Sequence, residues 1–279
     1  MVSSTVSCIE VCIDEIRQWM GTNMLALNDN KTEIVRFSSR SKEASLKAVS
    51  GDIRVGEVYV SPSATVRDLG VMIDSAGLMD EHIKSVCSRA SHSLWRIGKI
   101  RHLLNQSNAE KLVHAFVTSK LDYCNSLLLG LPAYKINKLQ HIQNAAARLV
   151  TRRKLDRRVN MTPILKELHW LPIEQRIRFK LMCTVFKLIR HGDSAPCYLT
   201  DIIHIQTSAY RTRSSTEVKL VPFSHKLHGK KTSQQYGDRA FGVAAPLLWN
   251  SLPPGLRSFT LLSHFKSNLK TFLFKQHFN

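Results

Sequence analysis

Residues 139–190 read LQHIQNAAARLVTRRKLDRRVNMTPILKELHWLPIEQRIRFKLMCTVFKLIR, and the way this stretch folds decides what the rest of the chain can be. It divides into a helix over 139–150, a very basic turn over 151–158, a Trp-Pro corner over 167–176 and a second helix over 177–190. In the first helix Ile136, Leu139, Ile142, Ala146, Leu149 and Val150 recur at spacings of three and four, which predicts a packed face. Lys138, His141, Arg148 and Arg152 fall on the opposite side, so that side is predicted to be cationic. Between the helices Arg152, Arg153, Lys154, Arg157 and Arg158 crowd together with only Asp156 to offset them. That density repels itself unless an anion is near, and a nucleic-acid phosphate backbone is the obvious one. In the second helix Arg176, Lys180, Lys187 and Arg190 share a narrow stripe on an otherwise apolar circumference. Arg178 lies among the apolar positions, where it either pairs internally or reaches a ligand.

The charge pattern extends beyond this stretch. The 279 residues carry 40 Lys and Arg against 21 Asp and Glu, a formal net charge of +19. Residues 1–83 hold 8 basic and 12 acidic side chains, net −4, and residues 84–279 hold 32 and 9, net +23. Such a surplus favours nucleic acid over an anionic membrane or a merely solvated surface. Six cysteines are scattered without a Cys-x-x-Cys pair, as expected of free thiols in a reducing compartment. No basic-then-apolar leader opens the chain and no apolar run reaches the ~18 residues of a membrane span. The expectation is an intracellular protein, nuclear or cytoplasmic.

Along the chain, Val6, Ile9, Ile13, Ile16 and Met20 predict an amphipathic helix ended by Gly21. Glu33–Ser38, Arg54–Val60 and Thr65–Ile73 read as three short strands. From Met79 the pattern turns helical, with Ile83, Val86, Cys87, Ala90, Leu94 and Ile97 on one stripe and Arg89, His92, Arg96 and Lys99 on another. A helix over Asn108–Lys120 follows, and Gly130-Leu131-Pro132 separates it from the helix quoted first. Gln206–Gln235 is polar and basic with little periodicity and reads as a long connector. A short helix around Trp249 and a terminal helix with Leu262, Phe265, Leu269, Phe272 and Leu273 on one face close the chain. The fold class is therefore α+β and predominantly helical, in regions 1–78, 79–191 and 192–279.

Signatures of catalysis are missing. There is no Gly-x-Ser-x-Gly elbow, no phosphate-binding Gly-x-x-x-x-Gly-Lys loop and no Gly-x-Gly-x-x-Gly turn. His225 and His228 have a metal-like spacing but no second ligand pair near them in sequence, so a solvated loop is the better reading. The acidic pairs Asp14-Glu15 and Asp80-Glu81 lie near helix ends, where the dipole or solvation accounts for them.

Six strings occur in order: WMGTNMLALNDNKTEIVRF (19–37), VRDLGVMID (66–74), SKLDYCNSLLLGLP (119–132), LQHIQNAAARLV (139–150), LHWLPIEQRIRFKL (168–181) and AAPLLWNSLPPGLR (244–257). Together they closely resemble the reverse transcriptase polyprotein of non-LTR (LINE-type) retrotransposons, downstream of its catalytic Asp-Asp motif. The resemblance implies the end of a polymerase palm, then an α-helical thumb-like bundle, then a C-terminal region. It implies that Lys31, within LNDNKTE, lies near an incoming nucleotide; the alternative is an ordinary turn lysine. It implies a primer-grip-like hairpin within VGEVYVSPSATVRDLGVMID and a thumb that holds RNA or DNA, a template-primer duplex, through its phosphates. Two-metal phosphoryl transfer needs clustered aspartates, and no Asp-Asp pair occurs in this sequence. The aspartates are expected upstream of Met1, so no catalytic residue, metal ligand or cofactor is expected here; Mg²⁺ belongs to a full-length polymerase. The missing palm and fingers are a possible partner. The expected function is a truncated reverse transcriptase product, inactive as a polymerase, that retains nucleic-acid affinity through its basic helices. The alternative is a non-enzymatic helical protein-interaction module whose basic faces are solvated.

Overall fold

The computed structural model describes residues 2–37, 51–153, 160–190, 192, 195–206, 218–222 and 237–279. It is mostly helical, with two small antiparallel sheets. The backbone divides into two compact units, residues 1–85 and 86–279, and the break falls inside a helix.

In the first unit, helix α1 (Val2–Thr22) covers the stretch expected to be amphipathic, with Val6, Ile13 and Met20 half-buried and Ile9 and Ile16 exposed. It runs one residue past Gly21, and Met24, not glycine, takes the left-handed position at φ 57°. The amides of Leu25 and Met24 then close on the carbonyls of Met20 and Gly21, a Schellman end that satisfies carbonyls the helix leaves open. A 3-10 turn over Asp29–Lys31 follows. The strand expected at Glu33–Ser38 is reduced to a single bridge from Val35 to Ser63, and its last residue lies outside the described residues.

The two remaining strand expectations also need correction, because each run folds back on itself. β1 (Ile53–Val55) pairs with β2 (Val58–Val60), and β3 (Thr65–Asp68) with β4 (Val71–Asp74). Two-residue loops make both hairpins. Leu69 and Gly70 both have positive φ, as a type I′ turn requires. Gly56 has φ +61°, and a Cβ there would run into the Arg17 guanidinium and the Asp29 carboxylate. The polar side of α1 holds the first hairpin: Glu10 accepts from the Arg54 amide at 2.9 Å and Asp14 pairs with the Arg54 guanidinium at 2.9 Å.

Helix α2 (Asp80–Ile100) follows the predicted stripe, with Ile83, Val86, Ala90, Leu94 and Ile97 buried. After it come α3 (Gln106–Val113), capped by Asn105, whose side chain accepts from the Asn108 amide at 2.8 Å, a π turn over His114–Thr118, and α4 (Ser119–Asp122). Helix α5 (Ala133–Thr151) buries Leu139, Ala146, Ala147 and Val150, and adds the polar Lys135 and Gln143 to that face. Ile136, Ile142 and Leu149 are only half-buried.

The Trp-Pro corner joins α6 (Thr162–Glu167) to α7 (Ile173–Arg190) and is stitched by side chains. Trp170 donates its indole N–H to Glu110 at 3.0 Å, Gln143 donates to the Leu171 carbonyl at 2.8 Å, and Gln140 accepts from the Ile173 amide at 2.9 Å. Then come α8 (Cys197–Thr200), α9 (Phe241–Asn250), α10 (Pro254–Arg257) and α11 (Leu262–Phe278). Leu181, Met182, Val185 and Phe186 of α7 share one core with Trp249 and with Phe265, Leu269 and Leu273. Phe186 stacks on Phe265 with centroids 4.4 Å apart. Regions 86–191 and 192–279 thus contribute to one hydrophobic core. The connector expected over Gln206–Gln235 lies mostly outside the described residues, except that Leu220 bridges to Ile205.

Candidate nucleic-acid interface

Side chains on the flank of α2 away from its buried stripe bring exposed cations and aromatics together. Arg89, Arg96 and Lys99 are all exposed there. Trp95 lies one helical turn before Lys99, and this spacing sets the ammonium over the indole, 3.7 Å from the ring centroid. His92 stacks near the same indole with centroids 5.9 Å apart. Lys120 reaches this flank from α4. It donates to the Ser93 hydroxyl at 2.8 Å and to the Phe116 carbonyl. Burial pulls its pKa below the ordinary lysine value, and the charges of Arg89 and Arg96 pull it further. Three cations are thus close enough to disfavour one another, and an anion would relieve them.

A cavity of about 460 Å³ opens beside these cations, and no carboxylate lines it. Ile97, Ile100 and Leu112 supply apolar surface, Trp95 and Phe116 aromatic surface, and Arg96, Lys99 and Ser93 the polar edge. Phe116 belongs to the π turn, a local departure from α geometry that recurs at functional sites. Of this group, sequence reasoning named Arg89, Arg96 and Lys99 and missed Lys120, Trp95 and Phe116. The i, i+4 spacing of Trp95 and Lys99 was the available signal.

The other predicted residues are dispersed. Lys138 is exposed on α5 and acts on Cys87, whose thiol pKa burial raises and Lys138 lowers. Arg148 is half-buried. Arg152 does not share the cationic side of α5, because it sits past the helix end in left-handed backbone at φ 55°. Its guanidinium donates to the carbonyls of Leu104 and Arg101, at 3.0 and 3.4 Å. Arg153 pairs with Glu167 at 2.8 Å. Lys154, Arg157 and Arg158 lie outside the described residues, as do His225 and His228. Next to this turn stands a residue that sequence reasoning did not single out. Arg101 donates to the carbonyls of Leu149, Val150 and Leu104 at 2.7, 2.7 and 2.6 Å, closing the C-terminal end of α5.

On α7 the expected basic stripe is broken. Arg176 forms a two-pronged pair with Asp122, through Nε at 2.8 Å and through Nη2, so it is a structural cation. Arg190 donates to the Arg257 carbonyl at 3.2 Å, and Arg178 pairs with Glu174 at 2.7 Å, settling its alternatives as an internal pair. Lys180 and Lys187 remain exposed. With Lys266 they surround Cys183, whose thiol burial pushes up to about 11 against their pull downward. Lys31 is exposed at the end of its 3-10 turn in the first unit. Among the described residues no three His, Cys, Asp or Glu side chains come together to suit a metal ion, and no helix is long and apolar enough to cross a membrane.

Compared with family models, curated proteins and solved structures, the chain matches none of them.

Proposed function

We propose that this chain is the thumb-containing portion of a non-LTR reverse transcriptase that binds RNA or DNA through its phosphates and does not polymerise by itself. The family part of this reading rests on the six ordered strings, and the non-polymerising part on the missing Asp-Asp pair. The binding part rests on one observation above all: Arg96 and Lys99 line a groove that holds no carboxylate, and Arg89 and Arg96 lie near enough to Lys120 for their charges to act on it. The net charge of +23 on residues 84–279 adds a long-range attraction for any polyanion. The expected setting is the nucleus or cytoplasm, and the missing palm and fingers would be its natural partner.

Titrating a labelled RNA–DNA duplex over a salt series tests it. Binding is expected to weaken steeply with salt, and replacing Arg89, Arg96 and Lys99 with alanine to reduce the log–log slope by about 0.9 for every phosphate that is no longer neutralised. A flat salt response, or wild-type affinity in the triple variant, rejects the binding reading. Primer extension with Mg²⁺ present is expected to be absent, and extension by the purified chain rejects the non-polymerising part. The rival reading, a protein-docking module, predicts no salt-dependent nucleic-acid binding at all.

A further inference from the structure

The groove beside α2 offers more than a phosphate can use. Trp95 and Phe116 are 58% and 52% exposed at its edge. Ile97 beneath them is buried, so the groove has an apolar floor. A closed duplex presents sugars and phosphates to such a surface and leaves these carbons in water. An unpaired base brings a flat π face together with its own phosphate, and the groove has room for it.

Building on the nucleic-acid reading above, we propose that this groove takes an unpaired base of a single strand. The base stacks on Phe116 and Trp95, and the neighbouring phosphates meet Arg96, Lys99 and Lys120. Lys99 now covers the indole, 3.7 Å from its centroid. An exposed cation–π contact of this kind is weaker than base stacking, so the base displaces Lys99, and the freed ammonium gains a phosphate. Lys120 is already oriented, with two of its protons donated to Ser93 and to the Phe116 carbonyl at the groove edge. An acidic peptide would satisfy the cations but has no flat face for the two rings. The surface therefore favours a strand with exposed bases: a single-stranded template, a loop or a frayed end.

The test uses the full chain, a short labelled oligothymidine and a duplex of equal length, followed by fluorescence anisotropy. Two double variants are compared, Trp95→Leu with Phe116→Leu, and Trp95→Phe with Phe116→Tyr, each with its helical circular dichroism checked. The leucine pair is expected to weaken single-strand binding roughly 10- to 100-fold, far more than duplex binding, and the aromatic pair to restore it. Undiminished single-strand binding by the leucine pair overturns the proposal, and so does an equal loss for strand and duplex. It also fails if a polyglutamate of the same charge displaces the strand as well as unlabelled oligothymidine does. Binding of neither nucleic acid at low salt is the separate result that rejects the broader reading as well.

Discussion

Arg176 shows why a cation's position along a helix does not reveal its job. Its spacing from Lys180 and Lys187 groups the three on one stripe, yet its guanidinium is held by Asp122, which lies 54 residues earlier. No local pattern in the sequence links the two, so the stripe was legible and its division into bound and free charges was not. Removing the acid strands a guanidinium that is only 20% exposed. Asp122→Ala should therefore cost about 1–2 kcal/mol in urea unfolding, below the cost of breaking a fully buried pair because both groups keep some water. A double-mutant cycle with Arg176→Ala should recover most of that loss as coupling, and independent effects would show the pair contributes nothing. Arg176→Ala should also leave the salt slope of nucleic-acid binding unchanged. Cys183 supplies a pH test. Its thiol stays protonated up to about 11 in the fold against an ordinary value of 9.0. Between these values the unfolded chain releases a proton that the folded chain keeps, so stability is intact below pH 9 and falls as pH rises toward 11. Subtracting the profile of Cys183→Ala from that of the wild type should isolate this decline, and identical slopes in the alkaline window would refute it.

Helices were more legible than strands, for a physical reason. The stripe of α2 spans many turns, so its period stands out, and Ile83, Val86, Ala90, Leu94 and Ile97 are buried where the sequence pointed, although Cys87 is only half-buried and His82 is buried without having been signalled. The runs 53–60 and 65–74 are too short to show where an apolar stretch reverses. The reversal depends on two-residue turns, and at Leu69 the left-handed φ falls on a residue whose side chain gives no hint of it. The end of α5 was illegible because a distant side chain makes it. Arg101 offers three donors to the carbonyls of Leu149 and Val150 at the helix end and of Leu104. Arg101→Ala should lower stability by about 2 kcal/mol. Arg101→Lys should recover only part of that, because one ammonium on a flexible stem does not reproduce a planar fork. Chemical denaturation checks both, and full recovery by lysine would mean that charge near the helix end, not the pattern of donors, is what counts.

The chain is uneven in charge and in packing, and the two divide at nearly the same place. Residues 84–279 carry the positive surplus, and residues 86–279 hold the large core of α7, α9 and α11. In residues 1–85 the buried apolar side chains, among those described, are Ile53, Val55, Val66, Val71, Met79 and Ile83. Ile9 and Ile16, expected on the packed side of α1, are exposed, as is Trp19 at 63%. The hairpins have strands of three and four residues, and isolated two-stranded pairs of that length are marginal in water. Local opening requires less free energy where few apolar side chains must be exposed, so protection should follow this division. In native-state hydrogen exchange the amides of β1–β4 should exchange through openings well below the global unfolding free energy. Those of α5, α7 and α11 should set the global value. If the first unit exchanged as slowly as the second, its few buried side chains would have to be holding it far better than their number allows. If α7 exchanged with the hairpins, the large core would not be the element that stabilises the chain.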